Sequence, residues 1–218
     1  MTIEVSAFRW VPEFVQGYVR DLRVRWALEE AGLPYRERLI DREIQASDEY
    51  RDWQPFGQVP AYRDGEVELF ESGAIVLHVA AQSEVLSPTD AAGAARTRTW
   101  VLAAIDSVER YILEYTSLTA FHAGKAWAEE RRPEVEATLR KRLAALARWL
   151  GDKEYLEGRF TAGDLMMAAA LRNLEGDALL ADFPTLAAYR ARCEARPAFS
   201  RALEAHMAPF RQPVPAMA

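Results

Sequence analysis

The chain has 218 residues, half of them hydrophobic, with 27 Lys plus Arg against 33 Asp plus Glu and a single Cys. That length suits one large or two small domains with a real core, and the net charge of −6 excludes a general nucleic-acid or anionic-membrane binder. One cysteine excludes an intrachain disulfide, no apolar run approaches the ~20 residues of a membrane span, and Met1 to Val5 reads without a secretory leader, so a reducing cytoplasm is expected.

The charge is unevenly placed: residues 1–82 carry 15 acids and 9 bases, whereas residues 83–218 carry 18 of each. That asymmetry points to two units. In the first, Ile3 to Phe8 is β-prone, and a helix follows that runs to Ala31, where Gly32 and Pro34 stop it. Arg36 to Ile40 alternates as a second strand. Ser47, followed by Asp48 and Glu49, starts a short helix. Val59 to Arg63 and Val67 to Phe70 flank Asp64-Gly65, a hairpin signal, and a last helix runs from about Ser72 to Ala81. The order β-α-β-α-β-β-α predicts an α/β domain with both parallel and antiparallel pairs.

Residues 83–92, small, polar and broken by Pro88, read as a linker in which Thr89 is placed to cap the next helix. Residues 93–218 lack strand signals and predict an all-helical domain. Val101, Ile105, Val108, Ile112 and Tyr115 form one helical stripe. Pro133 suits the first turn of a helix that turns Val135, Leu139, Leu143, Leu146 and Leu150 inward. Helices at about 162–175 and 184–195 follow, then a short one from Pro197; the proline-rich tail from Pro209 to Ala218 reads as extended or mobile.

Familiar catalytic sets are missing. His78, His122 and His206 make no zinc pattern, so no metal is expected, and each reads as a helix-surface or packing residue. No phosphate-binding glycine loop or nucleophile elbow occurs. Cys193, flanked by arginines, reads as a small inward-facing helix residue. Thr161 and Asp164 form a capping box, with Phe160 and Leu165 as its hydrophobic staple, which gives Asp164 a structural job.

The most informative stretch is Gln58-Val59-Pro60 followed across the hairpin by Glu71-Ser72. A proline entering a strand belongs at its start or in a cis turn, and a cis bond there would turn the Val59 backbone outward to pair with an extended peptide. Ser72 can cap the helix it opens, whose free N–H groups favour a carboxylate, and Glu71 can receive an ammonium. The combination offers a backbone clamp, an anion site and a cation site.

These residues together resemble the soluble glutathione transferase family. Gly57-Gln58-Val59-Pro60-Ala61 is similar to its cis-proline loop, and Leu69 to Ile75 to its γ-glutamyl site. Arg25 to Tyr35 is similar to its first helix and exit, Phe160 to Leu165 to its capping box and staple, and Glu194 to Phe199 to its last helix boundary. The resemblance implies a thioredoxin-like N-terminal domain, an all-helical C-terminal domain and a homodimer. It implies glutathione as co-substrate, bound by Gln58, Val59, Pro60, Glu71 and Ser72, and a hydrophobic electrophile attacked by the glutathione thiolate. In the family a hydroxyl or thiol near the first helix stabilises that thiolate. Counting back from Arg23 places this donor at Tyr18, but Val11, Phe14, Val15, Tyr18, Val19 and Leu22 also have helical spacing, which would bury Tyr18 inside a helix begun at Pro12. Counting forward from the strand reaches Arg9, Trp10 and Val11, so backbone N–H groups, with Arg20 or Trp10 nearby, stay open as the alternative. Trp10, Phe14, Tyr111, Tyr115, Phe121 and Trp127 are candidates to line the electrophile pocket, and Asp106 to reach a neighbouring subunit. The rival functions are a glutathione-dependent isomerase or peroxidase, and a non-catalytic ligand-binding or assembly protein on the same fold. A thiol–disulfide reductase is disfavoured, because residues 1–82 contain no Cys.

Overall fold

A computed structural model describes residues 2–211. β1 (Ile3–Phe8), α1 (Asp21–Ala31), β2 (Tyr35–Ile40), α2 (Arg42–Ala46), α3 (Asp48–Trp53), β3 (Ala61–Asp64), β4 (Val67–Phe70) and α4 (Ser72–Ala80) follow in chain order. The sheet order is β2-β1-β3-β4, with β1 parallel to β2 and antiparallel to β3, and β3 antiparallel to β4. β1 is buried along almost its whole length, as a central strand covered on both faces must be. Ile40, Tyr50, Trp53, Val59 and Ala61 close one core cluster, which joins the α3 side of the sheet to the segment entering β3.

Local chemistry explains the boundaries. α1 ends at Gly32, which takes a left-handed φ of +67°, and the N–H of Leu33 returns to the carbonyl of Leu28. The helix does not begin at Pro12. Glu13–Val15 forms a 3-10 turn and Gly17 adopts φ +84°, so the chain re-aims before α1 opens at Asp21. α2 was not foreseen from the sequence; the Asp41 side chain caps it by accepting from the Ile44 N–H, and Ser47 caps α3 as expected.

The helical run that follows contains α5 (Ala91–Leu102), a π segment (Ala103–Glu109), α6 (Arg110–Thr116), a second π segment (Ser117–Phe121), α7 (Ala126–Leu150), α8 (Ala162–Arg172), α9 (Ala178–Ala181) and α10 (Pro184–Glu194). Asp90, not Thr89, caps α5, accepting from the N–H of Gly93, where a Cβ would stand 2.6 Å from Pro88. The π segment widens the turn, so Ala104 replaces the expected Ile105 in the buried stripe with Val101, Val108, Ile112 and Tyr115. Pro133 sits inside α7 rather than in its first turn; its neighbours are exposed, so the carbonyl its missing N–H leaves free lies on the solvent side of the helix. The inward leucines of α7 and its Val135 are buried as expected.

α11 (Pro197–Met207) is a full helix, not a short one, and Ala208–Arg211 continues as a 3-10 turn where an extended tail was expected. The rest of that tail, residues 212–218, lies outside the described residues. The described residues form two compact units: those up to Leu86 together with those from Arg196 onward, and Ser87 to Ala195. The last helix therefore groups with the α/β unit, whereas the sequence assigned everything after residue 92 to the helical domain. Arg196 forks onto Glu30 at 2.6 and 2.7 Å, Arg201 reaches Glu29 at 2.7 Å, and Phe199 meets Trp26 edge-on at 4.8 Å between centroids.

Candidate functional site

The segment entering β3 is held from behind by a one-way chain of hydrogen bonds. The Ala61 N–H donates to Ser6 Oγ at 2.7 Å, Ser6 donates to Tyr50 Oη at 2.8 Å, and Tyr50 donates to the Gln58 carbonyl at 2.5 Å. The directions are forced, because an amide N–H only donates and a carbonyl only accepts. Gln54 adds a second grip: its side-chain oxygen accepts from the N–H groups of Phe56 and Gln58 at 2.8 and 3.0 Å. Both neighbours of Val59 are thus fixed: Gln58 by these bonds and Pro60 by the cis Val59-Pro60 peptide. Val59 itself has neither backbone group hydrogen-bonded among the described residues. Ser6, Tyr50 and Gln54 were not singled out in the sequence; a serine flanked by Val5 and Ala7 in a buried strand was the one available signal.

Pairing of Ala61 with Phe70 brings Val59-Pro60 and Glu71-Ser72 to the same end of the hairpin. Glu71 stands at φ +69°, ψ +112°, the one described non-glycine residue with positive φ. Such a conformation costs about 1–3 kcal/mol and is found where surrounding structure enforces it, often at binding sites. Its carboxylate is exposed and has no partner among the described residues. The expected Ser72 cap is absent: Glu71 occupies the cap position without a side-chain bond, and Ser72 is the first helical residue, 5% exposed. The free N–H groups of the first turn of α4 remain as an anion-favouring end.

Beside Gly57 an opening of about 370 Å³ is lined by Arg42, Gln45, Ala46, Arg51 and Phe56. Gln45 donates to the Gly57 carbonyl at 2.6 Å, while Arg42 and Arg51 make no ion pair among the described residues. The sequence reading did not single out these arginines, because no motif surrounds them.

Trp10, Phe14 and Tyr18 lie on the irregular segment ahead of α1, with exposures of 37%, 66% and 36%. Tyr18 is therefore not interior to a helix; its N–H donates to the Val15 carbonyl. Of the helical-unit candidates, Tyr115 is a core residue, 8% exposed, with its hydroxyl 3.4 Å from Asp177. Tyr111 has the guanidinium groups of Arg110 and Arg142 at 5.0 and 4.7 Å from its ring centroid and accepts a bond from Arg142 at 3.0 Å, so its ring is engaged within its own unit. Phe121 and Trp127 are exposed, and Asp106 pairs loosely with Arg110 at 3.7 Å. Thr161 and Asp164 form a capping box, and Asp164 also accepts from the Leu156 N–H and the Tyr189 hydroxyl. Burial raises the Asp164 carboxyl above its ordinary range despite those donors. Cys193 is fully buried. Among the described residues no cluster of His, Cys, Asp or Glu is arranged to hold a metal, and no helix is long and apolar enough to cross a membrane.

The architecture is a thioredoxin-like α/β unit followed in sequence by a helical one, with a backbone clamp and a helix start at one end of the first sheet. Residues 15–81 match the family model described as glutathione S-transferase, N-terminal domain, and residues 113–206 that described as glutathione S-transferase, C-terminal domain. A glutathione S-transferase from Hyoscyamus muticus is 30% identical over 197 residues, 84% of this chain and 92% of that one. A glutathione transferase from Burkholderia graminis, solved with two glutathione molecules per subunit, has a TM-score of 0.79 at 27% identity, covering 93% of this chain and 88% of that one. Poplar glutathione transferase F1 shares the fold, with a TM-score of 0.80 at 21% identity, covering 95% and 99%. The chain belongs to the glutathione S-transferase family.

Proposed function

We propose that the α/β unit binds glutathione and presents its thiolate to a hydrophobic electrophile in a conjugation reaction. The observation that carries this reading is the Val59 backbone, unpaired and held from behind, at the same hairpin end as the exposed Glu71 and the open start of α4. An extended tripeptide can pair with Val59 as an added strand does. Glu71 meets its ammonium, the Ser72 end of α4 takes the neighbouring carboxylate, and Gln58 and Pro60 border the central residue. We assign the second carboxylate to Arg42 and Arg51 beside Gly57, since they are cations at the adjoining opening without an ion pair among the described residues.

The thiol end falls to the segment ahead of α1. Tyr18 is the hydroxyl donor in this reading, supported by its partial exposure, with the backbone N–H groups of the same segment as the alternative. The thiolate sulfur forms a bond to the electrophilic carbon; with a chlorinated nitrobenzene, chloride leaves with the bonding pair. Trp10 and Phe14 supply exposed apolar surface for that substrate. The family's usual homodimer and a cytoplasmic setting complete the proposal.

Glu71→Ala tests it. Wild-type protein should be retained on immobilised glutathione and conjugate chlorodinitrobenzene, and the variant should lose most of its retention. Unchanged retention removes the binding assignment. Retention by wild type without turnover of chlorodinitrobenzene, an organic hydroperoxide or a maleyl isomerase substrate removes the catalytic one.

A further inference from the structure

α11 carries a buried histidine whose bonds lead to the start of the thiol segment. His206 is 1% exposed, Asp21 1% and Arg25 0%. His206 Nδ1 stands 3.0 Å from Asp21 Oδ2, and the Gly17 N–H donates to His206 Nε2 at 3.2 Å. An amide N–H cannot accept, so Nε2 is the unprotonated nitrogen and Nδ1 carries the proton given to Asp21. Asp21 also accepts from Arg25 Nε at 2.8 Å, and Arg25 reaches Glu37 at 2.9 Å. Phe210, one turn beyond, meets the imidazole edge-on at 5.4 Å.

This polar chain is expensive to bury, and α11 is already fastened to α1 by Arg196, Arg201 and Phe199. What the histidine adds is a hold on Gly17, whose φ of +84° turns the chain between the 3-10 turn and α1. Gly17 immediately precedes Tyr18. We propose that His206 is a positioning residue for the thiolate: through Gly17 it fixes the backbone that presents Tyr18 and its neighbouring N–H groups to the glutathione sulfur. The inference rests on the proposed function, because it needs a thiolate at that segment. It predicts that the end of the chain governs chemistry at its beginning without touching substrate.

Two substitutions separate the two bonds of the imidazole. His206→Gln places an acceptor near the former Nε2 and keeps the hold on Gly17. His206→Asn places a donor near the former Nδ1, keeps the bond to Asp21 and releases Gly17. The full chain is assayed with glutathione and chlorodinitrobenzene, together with the ultraviolet absorbance of the bound thiolate. His206→Asn should lower kcat and the thiolate fraction by about tenfold to a hundredfold, the effect of a misplacement near 1 Å, with the KM for glutathione within about twofold. His206→Gln should restore both. Equal losses in the two variants, equal indifference, or a change confined to KM overturn the proposal. Should His206→Asn fail to fold, nitrogen NMR of the wild-type imidazole decides: a proton on Nδ1 supports the hold on Gly17, and a proton on Nε2 overturns it. A wild type that binds no glutathione fails at the proposed function and takes this inference with it, whereas a wild-type thiolate untouched by His206→Asn overturns this inference alone.

Discussion

Tyr50→Phe isolates the support behind the peptide clamp. The ring is fully buried and packs edge-on to Trp53 at 6.0 Å, so the substitution keeps the packing and deletes only the hydroxyl. That hydroxyl donates to the Gln58 carbonyl and accepts from Ser6. Its loss leaves the buried Ser6 hydroxyl and the part-buried Gln58 carbonyl unanswered, at about 1–3 kcal/mol for the buried group and less for the other, so a net loss of about 2–3 kcal/mol is expected. For a chain of 218 residues that lowers Tm by about 4–12 °C. The freed Gln58 carbonyl also loosens the residue beside Val59, so the KM for glutathione should rise while kcat changes little. Thermal unfolding and a glutathione titration at saturating electrophile read the two effects. Ser6→Ala completes the cycle: because both residues belong to one chain of bonds, the double variant should lose less than the sum of the singles, with coupling of at least about 0.5 kcal/mol. A Tm within about 1 °C of wild type, or strictly additive losses, would refute the reasoning.

Asp164→Ala removes a fully buried carboxylate that accepts from the Leu156 N–H, from the N–H and hydroxyl of Thr161, and from Tyr189. Denaturant unfolding should show a loss of at least about 3 kcal/mol, and a loss below about 1 kcal/mol would deny the capping box its weight. Asp21 predicts an acid limb. Burial raises its carboxyl, but His206 and Arg25 together outweigh burial and hold it below the ordinary carboxylate range. A depressed folded-state value contributes stability above the unfolded pKa of about 3.9, lost as pH falls through the folded value. Tm against pH should therefore fall more steeply in acid for wild type than for Asp21→Asn, and parallel acid limbs would contradict it.

Much of the fold was legible because its signals are local. Gly32 with Pro34, Asp64-Gly65, Ser47 and the Thr161–Asp164 box each act within a turn of chain, and each marks an element boundary in the structure. The misreadings came from competition between equally local signals, or from distant partners. Asp90 outcompeted Thr89 because Gly93 allows close approach of the chain. The helical spacing from Val11 to Leu22 suggested an earlier helix start, which Gly17 and its bond to His206, 189 residues away, do not permit. Ile105 gave way to Ala104 because a π segment alters the helical period itself. In the candidate site the motif residues stood out, but their support did not. Ser6, Tyr50 and Gln54 look ordinary in sequence because their job is defined by which carbonyl or amide lies opposite.

The uneven charge also has a structural resolution. The first 82 residues carry the whole excess of −6, yet the proposed ligand is itself an anion. Four of the nine bases there are neutralised by named partners: Arg25 by Asp21 and Glu37, Arg36 by Glu4, Arg38 by Glu49, and Arg63 by Glu68. Arg42 and Arg51 make no such pair among the described residues, and both line the opening beside Gly57. The charged residues lining that opening are positive while the net charge of the unit is negative, and ionic strength distinguishes the two influences. If the unpaired arginines and the α4 start dominate, added salt screens an attraction and glutathione affinity falls. If the overall −6 dominates, salt screens a repulsion and affinity rises. The geometry predicts the fall, because a Debye length of about 8 Å at physiological ionic strength confines the effective field to groups near the ligand. Calorimetric titration of glutathione across a salt series reads the sign directly. Arg42→Ala with Arg51→Ala should flatten the dependence, and a wild-type affinity that increases with salt would show that the acidic surface, not the local cations, sets the field at the site.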